Sequence, residues 1–253
     1  MSIQTYDPDM VERPGVEALA AAGIGNLWRS LGRVWPLWSA LTLVSALGAA
    51  LSDAQGRPSG AGLQQAIDRL PLAVGSSLVV GLLTGVALRA MLDRGWAAWK
   101  PDLGLAAYAL IVMLLGAVPE AVTYLVQVPA HGAPQAVLLP FAAAASLSLA
   151  FAAVLAWVVL RLTLWPIGLL MGDAEMTPSR SWALMRGSVL RFLLAALLLA
   201  APVFILNLMV VMLTQPQGRL ISQVAAAPLL SLMALLAAAV AAEIYRTRVR
   251  MQA

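Results

Sequence analysis

Cysteine is absent from the 253 residues, which removes disulfides, thiolate metal sites and cysteine nucleophiles. Histidine occurs once, as His131, so neither an HExxH metal helix nor a Ser/His/Asp set can be assembled. Lysine also occurs once, as Lys100, against fifteen arginines; with the heavy use of Ala and Leu, this suggests a GC-rich bacterial coding sequence. Charge of either sign is scarce: Asp, Glu, Lys and Arg make up 11% of the chain, roughly half the share of a soluble domain. No cofactor, no metal and no enzymatic activity are expected from so sparse a set of reactive groups.

In place of charge, the chain carries 61% hydrophobic residues and a mean hydropathy of +0.86. A soluble core cannot absorb that much apolar surface, and runs of about 18 or more apolar residues read as membrane spans. Such runs fall at 34–52, 71–91, 103–126, 136–160, 189–213 and 224–245. Each is long enough for about 30 Å of hydrocarbon. The predicted fold is therefore all-α: a polytopic helical membrane protein with about six transmembrane helices. A further apolar stretch at 162–172 (LTLWPIGLLMG) is short and broken by Pro166, which predicts an interfacial or re-entrant helix. Residues 1–15 form a polar tail and 16–253 a single transmembrane domain. The first 22 residues carry Asp7, Asp9, Glu12 and Glu17 and do not resemble a cleaved signal peptide, so the first span is expected to serve as the insertion signal.

Orientation follows from the retention of Arg and Lys on the cytoplasmic side. Six spans place thirteen basic residues on one side and only Arg57, Arg69 and Arg219 on the other, and the loop at 127–135 (QVPAHGAPQ) has none. Both termini are thus expected in the cytoplasm, with the protein in a bacterial inner membrane. Trp28, Trp35, Trp38, Trp96, Trp99, Trp157, Trp165 and Trp182 are read as headgroup-level anchors at the cytoplasmic ends of the spans.

Three basic, Trp-bearing segments precede inward-starting spans, at 16–33, 92–102 and 162–187, and are expected to be cytoplasmic-side interfacial segments. In the first, Leu19, Ile24, Leu27, Leu31 and Val34 share one helical face opposite Arg29 and Arg33, the pattern of an amphipathic helix. In the third, Thr177 suits an N-cap, Pro178 the first helical turn and Gly187 a helix end. The repetition suggests three loosely similar helical hairpins.

The stretch RLTLWPIGLLMGDAEMTPSRSWALMRGSVLRFLL, and above all Ser181, Trp182, Leu184, Arg186, Gly187 and Arg191, resembles the signature of a bacterial inner-membrane family of about six spans. That family is similar to the membrane domain fused to some glycerophosphoryl diester phosphodiesterases. About 35 residues carry the resemblance, with Met185 where the motif has Thr. It implies the architecture; with no phosphodiesterase domain in this chain, it implies no catalysis.

Few polar groups lie within the spans. Glu120 falls about 25 Å beyond Leu103, near the outer boundary, and Asn207 in the fifth span sits at comparable depth, so the two form a candidate polar site. Arg161 and Glu243 are a further candidate pair near the inner ends. Pro202 interrupts the fifth span near its centre, and Pro140 and Pro228 lie near the outer ends of two others, features in favour of a transporter or channel for a small or amphiphilic substrate. Ser77, Gly81 and Gly85 form a small-xxx-small ladder suited to close helix packing. Arg29, Arg33, Arg180, Arg186 and Arg191 would line the inner leaflet as a candidate lipid-headgroup or docking set. The expected partners are membrane lipids, anionic phospholipid above all, and a protein partner of unspecified kind. A pI near 10.1 does not point to nucleic acid, because the basic residues are spread along span ends and form no compact motif. The leading expectation is a non-enzymatic membrane component that organises lipids or supports a membrane complex.

Overall fold

The structure is a computed structural model and describes residues 15–54, 63–92, 98–114, 150, 153–155 and 157–249. Their regular structure is helical. The elements are α1 (Val16–Arg29), α2 (Leu31–Ala54), α3 (Leu63–Met91), α4 (Leu103–Leu114), α5 (Leu164–Met171), α6 (Pro178–Leu184), α7 (Val189–Thr214) and α8 (Arg219–Val249). Among the described residues, five helical segments are long and apolar enough to cross a membrane: Leu31–Leu51, Val74–Met91, Ala153–Met171, Val189–Gln217 and Arg219–Val249. The outer part of the expected span 103–126 and most of 136–160 lie outside the described residues.

α7 and α8 form an antiparallel hairpin closed by the turn at Gly218, whose φ of 125° is easily reached only by glycine. α7 presents Val189, Phe192, Ala195 and Leu199 to the interior, a helical stripe confined to its first half. Beyond it Phe204, Ile205, Leu208, Met209 and Met212 are exposed. Apolar surface of that extent marks contact with lipid or with further helices. α8 is buried along Ala226, Ala227, Leu235, Ala239, Val240 and Ala242, small residues that let neighbouring helices approach closely.

α1 and α2 are separated only by a bend at Ser30, whose hydroxyl donates to the Asn26 carbonyl at 2.7 Å and so takes over an acceptor at the helix break. Both pack on α8, and α1 also packs on α7. The segment expected to be an interfacial amphipathic helix is thus packed on two helices of the bundle. The buried face of α1 is Leu19, Ala20, Gly23 and Asn26, whereas Ile24 and Leu31 of the expected apolar face are exposed. The reason is steric. Gly23 lies so near α8 that a Cβ there would come within 3.2 Å of Val240 Cγ2 and 3.5 Å of Leu199 Cδ1, so the small face wins over the bulky one.

α4 packs against α3. A Cβ at Gly81 would meet the backbone of Ala109 at 3.0 Å, and one at Gly85 would meet Leu105 Cδ1 at 2.7 Å and Tyr108 Cδ1 at 2.9 Å. Two glycines of the ladder thus set how closely the helices approach. The stretch 162–172, expected to be interfacial or re-entrant, is continuous with the candidate span Ala153–Met171. A turn at Thr163 precedes α5, Pro166 falls within the first helical turn where it sacrifices no internal hydrogen bond, and Leu164, Ile167 and Leu170 are fully buried.

Gly81→Leu and Gly85→Leu are expected to destabilise the protein by about 1–3 kcal/mol through overpacking, Gly81→Leu more because it meets backbone. Gly75→Leu, with open space around the position, should melt like the parent. Thermal melting of the three variants in detergent checks the ranking.

Candidate functional site at the basic end of the bundle

α3 ends at Met91, α5 at Met171 and α8 at Val249, and α4 and α7 begin, at one end of the bundle, linked there by arginine side chains. Arg89 is the most enclosed, with 1% of its surface exposed. Its Nε and Nη2 donate to the Leu170 carbonyl at 3.1 and 3.0 Å, its Nη1 donates to the Lys100 carbonyl at 2.9 Å, and Nη2 also pairs with the Asp102 carboxylate. The same Asp102 oxygen accepts the Leu105 backbone N–H at 2.9 Å, capping the start of α4. One carboxylate therefore neutralises a buried guanidinium and terminates a helix.

The carbonyl at Leu170 is presented because α5 stops there. Gly172 takes the left-handed conformation with φ of 76°, its N–H and that of Asp173 close back on Leu169 and Gly168, and the chain turns away. Gly104 and Gly168 let the segments meet: a Cβ at Gly104 would fall 2.5 Å from the Leu169 carbonyl oxygen, and one at Gly168 would fall 2.3 Å from Met176 Cβ.

Around this knot the other basic groups fall into two kinds. Some are committed to protein acceptors. Arg246 donates to the Met91 carbonyl and pairs with Glu243 at 3.5 Å; Arg248 donates to the Ser188 hydroxyl; Arg180 pairs with Glu175 at 2.7 Å. Tyr245 donates to Asp173 at 3.4 Å, tying α8 to the turn after α5. Arg161 lies between Trp157 and Trp182, its guanidinium carbon 5.1 Å from each ring centroid, and donates to the Trp182 carbonyl at 3.1 Å. Ser181 returns a hydrogen bond to the Arg161 carbonyl at 2.9 Å. Arg161 is thus held by indoles, and the candidate Arg161 to Glu243 pairing gives way to Glu243 with Arg246.

The second kind is uncommitted. Arg186 is exposed on the turn that Gly187 closes with a φ of 76°, and Arg191 opens α7 with its Nη1 enclosed and without an acceptor. The sequence-derived set therefore divides. Arg180, Arg186 and Arg191 belong to this end, while Arg29 and Arg33 lie on α1 and α2, on the far side of the Gly23 contact with Val240. Asn207 sits on α7 with its Oδ1 unpartnered, and its candidate partner Glu120 lies outside the described residues, as does His131. Pro202 lies on an exposed face of α7. Thr177 caps α6, accepting the Arg180 N–H at 3.2 Å, with Pro178 at the first position.

Chemically, the arrangement offers cation donors to an anion. No group of three or more His, Cys, Asp and Glu suited to a metal occurs among the described residues. Sequence reasoning missed the Arg89 knot, although the Asp102 position, one residue before an apolar helix, was a readable N-cap signal. Comparisons of the chain with protein-family models, with curated proteins and with solved structures find no match.

Arg89→Ala is expected to leave the Leu170 and Lys100 carbonyls without their donor and to cost about 1–3 kcal/mol, since the Asp102 carboxylate, 40% exposed, can turn to water. Arg89→Lys should recover only part of it, because an ammonium lacks the guanidinium fork that reaches Leu170, Lys100 and Asp102 together. The melting order parent, Arg89→Lys, Arg89→Ala checks this.

Proposed function

We propose that this chain is a non-enzymatic, multi-pass component of a bacterial inner membrane whose basic end holds anionic phospholipid at the cytoplasmic leaflet and so helps to organise lipid or to support a membrane complex. The observation that carries the reading is the division of labour among the arginines. Arg89, Arg246 and Arg248 are bound to protein acceptors, while Arg186 is exposed on the turn before α7 and Arg191, in the first turn of α7, has an Nη1 without an acceptor. A guanidinium fork beside a helix start, at the depth where phosphates lie, suits a phosphodiester headgroup. Trp157 and Trp182 flank the same end, in keeping with an interfacial level.

Six spans with both termini in the cytoplasm remain part of this reading, supported by a distribution of basic residues that is still eleven to three when Arg29 and Arg33 are left out of the count. The resemblance of residues 161–194 to the bacterial six-span family supports the same architecture. A fluorescent protein fused after Ala253 should fluoresce in cells, and alkaline phosphatase at the same place should be inactive; the reverse pattern would put the basic end outside.

The lipid reading is tested by replacing Arg186 and Arg191 with Gln, singly and together, and counting anionic and zwitterionic lipids retained by the purified protein in native mass spectrometry. Retention of anionic lipid should fall several-fold in the double variant with zwitterionic lipid unchanged. Equal retention by parent and variant would reduce these arginines to determinants of orientation.

A further inference from the structure

Two contacts fix where α1 and α2 stand along α8. The Gly23 backbone lies against Val240, and the Trp38 indole N–H donates to the Pro228 carbonyl at 3.0 Å. The helices are antiparallel, with about 22 Å of rise between Gly23 and Trp38 and about 18 Å between Val240 and Pro228. The surplus matches an indole leaning back toward its own helix N-terminus. Arg29 therefore stands about 9 Å past Gly23, level with the middle of the apolar run 224–245, and Arg33 about one turn further. Since α7 runs beside α8 and is exposed and apolar over its second half, this level lies inside the hydrocarbon, on the reading that α7 and α8 span the membrane.

At that level Arg29 and Arg33 are exposed. The hydrogen bond shown for them is internal, from Arg29 Nε to the Gly25 carbonyl at 3.2 Å. The carboxylates shown in contacts are engaged elsewhere: Asp102 with Arg89, Asp173 with Tyr245, Glu175 with Arg180 and Glu243 with Arg246. Glu17 lies twelve residues before Arg29 on the rod, about 18 Å away. Helical side chains lean toward the helix N-terminus, so Arg29 is not directed to the nearer outer border. Gly25, Arg29, Gly32 and Pro36 recur at spacings of four, three and four, and neither glycine has a neighbour within 4 Å of its missing Cβ. The stripe combines room for a close helix with charge that no carboxylate among the described residues neutralises, in a medium that penalises it.

We propose that Arg29 and Arg33 form an intramembrane docking face for a transmembrane helix of another protein that carries a carboxylate on its facing side. A second copy of this chain would oppose arginine to arginine across a twofold contact, and lipid supplies no anion at that depth, so charge complementarity selects an acidic helix. The exposed Trp28 and Trp35 flank the stripe and would cover the pair once the partner is seated.

The native absence of cysteine makes the test direct. Single cysteines replacing Trp28 or Gly32 in the full chain, in native membrane vesicles, should resist a water-soluble maleimide that labels Gly15→Cys. Free labelling at both positions overturns the depth, and with it the proposal, while leaving the headgroup reading of Arg186 and Arg191 intact. A photoreactive side chain at Gly32 should then cross-link to a membrane segment bearing Asp or Glu. The adduct should fall at least tenfold in Arg29→Glu/Arg33→Glu and return when the partner's acid is changed to Arg. Adducts to lipid alone, adducts indifferent to charge reversal, or adducts to this chain's own Glu120 segment overturn the proposal. Arg33→Gln, checked by melting, replaces the double reversal if that variant misfolds.

Discussion

A guanidinium shut away from water keeps its charge and must find acceptors for its donors, and in this protein that demand falls on Arg89. The acceptors come from three separate segments: Leu170 at the end of α5, Lys100 in the connection after α3, and Asp102 at the start of α4. None of these could drift without stranding the charge. The knot therefore fixes the relative placement of α3, α4 and α5 more sharply than apolar contact would, since hydrophobic side chains tolerate sliding and a saturated guanidinium does not. In lipid this matters more than in water, because burial of apolar surface gives helices little reason to prefer each other over acyl chains.

The remainder of the bundle depends on small residues. Gly23 against Val240, Gly81 against Ala109 and Gly85 against Tyr108 let helix backbones approach until dispersion between them outweighs contact with lipid. The core is consequently lopsided. It is dense where the arginine network ties the helix ends together and thin along the second half of α7, whose large side chains face outward. Order at one end and lipid contact at the other leave the uncommitted arginines of α7 standing on a rigid base.

Helical class and the apolar runs at 189–213 and 224–245 could be read from composition alone, since runs of that length have no other stable solution in lipid. The Thr177 cap and the Gly81 and Gly85 ladder were legible too, because each has a local physical cause. The position of α1 was not. A long rod with two moderately apolar stretches carries no mark of which part stands beside a helix two hundred residues later. Arg29 and Arg33 were grouped with Arg180, Arg186 and Arg191 because hydropathy registers a charge near a span border and is blind to register against a neighbour. Burial of Arg89 was hidden for a related reason: a residue scale records what a side chain costs in lipid and not which acceptors the fold will bring to it.

α1 and α2 together run from Val16 to Ala54, about 58 Å of helix, nearly twice the hydrocarbon thickness. The apolar window of this rod, Leu31–Leu51, is the first candidate span that a translocon would meet during synthesis. The seat against Val240 and Pro228 becomes available only when α8 has been translated, some two hundred residues later. At about 5–20 residues per second the rod therefore spends at least ten seconds in the bilayer before its final neighbour exists. Whatever holds this rod during that interval is not its final packing: the contacts that place Gly23 beside Val240 and Trp38 beside Pro228 are among the last the chain can make.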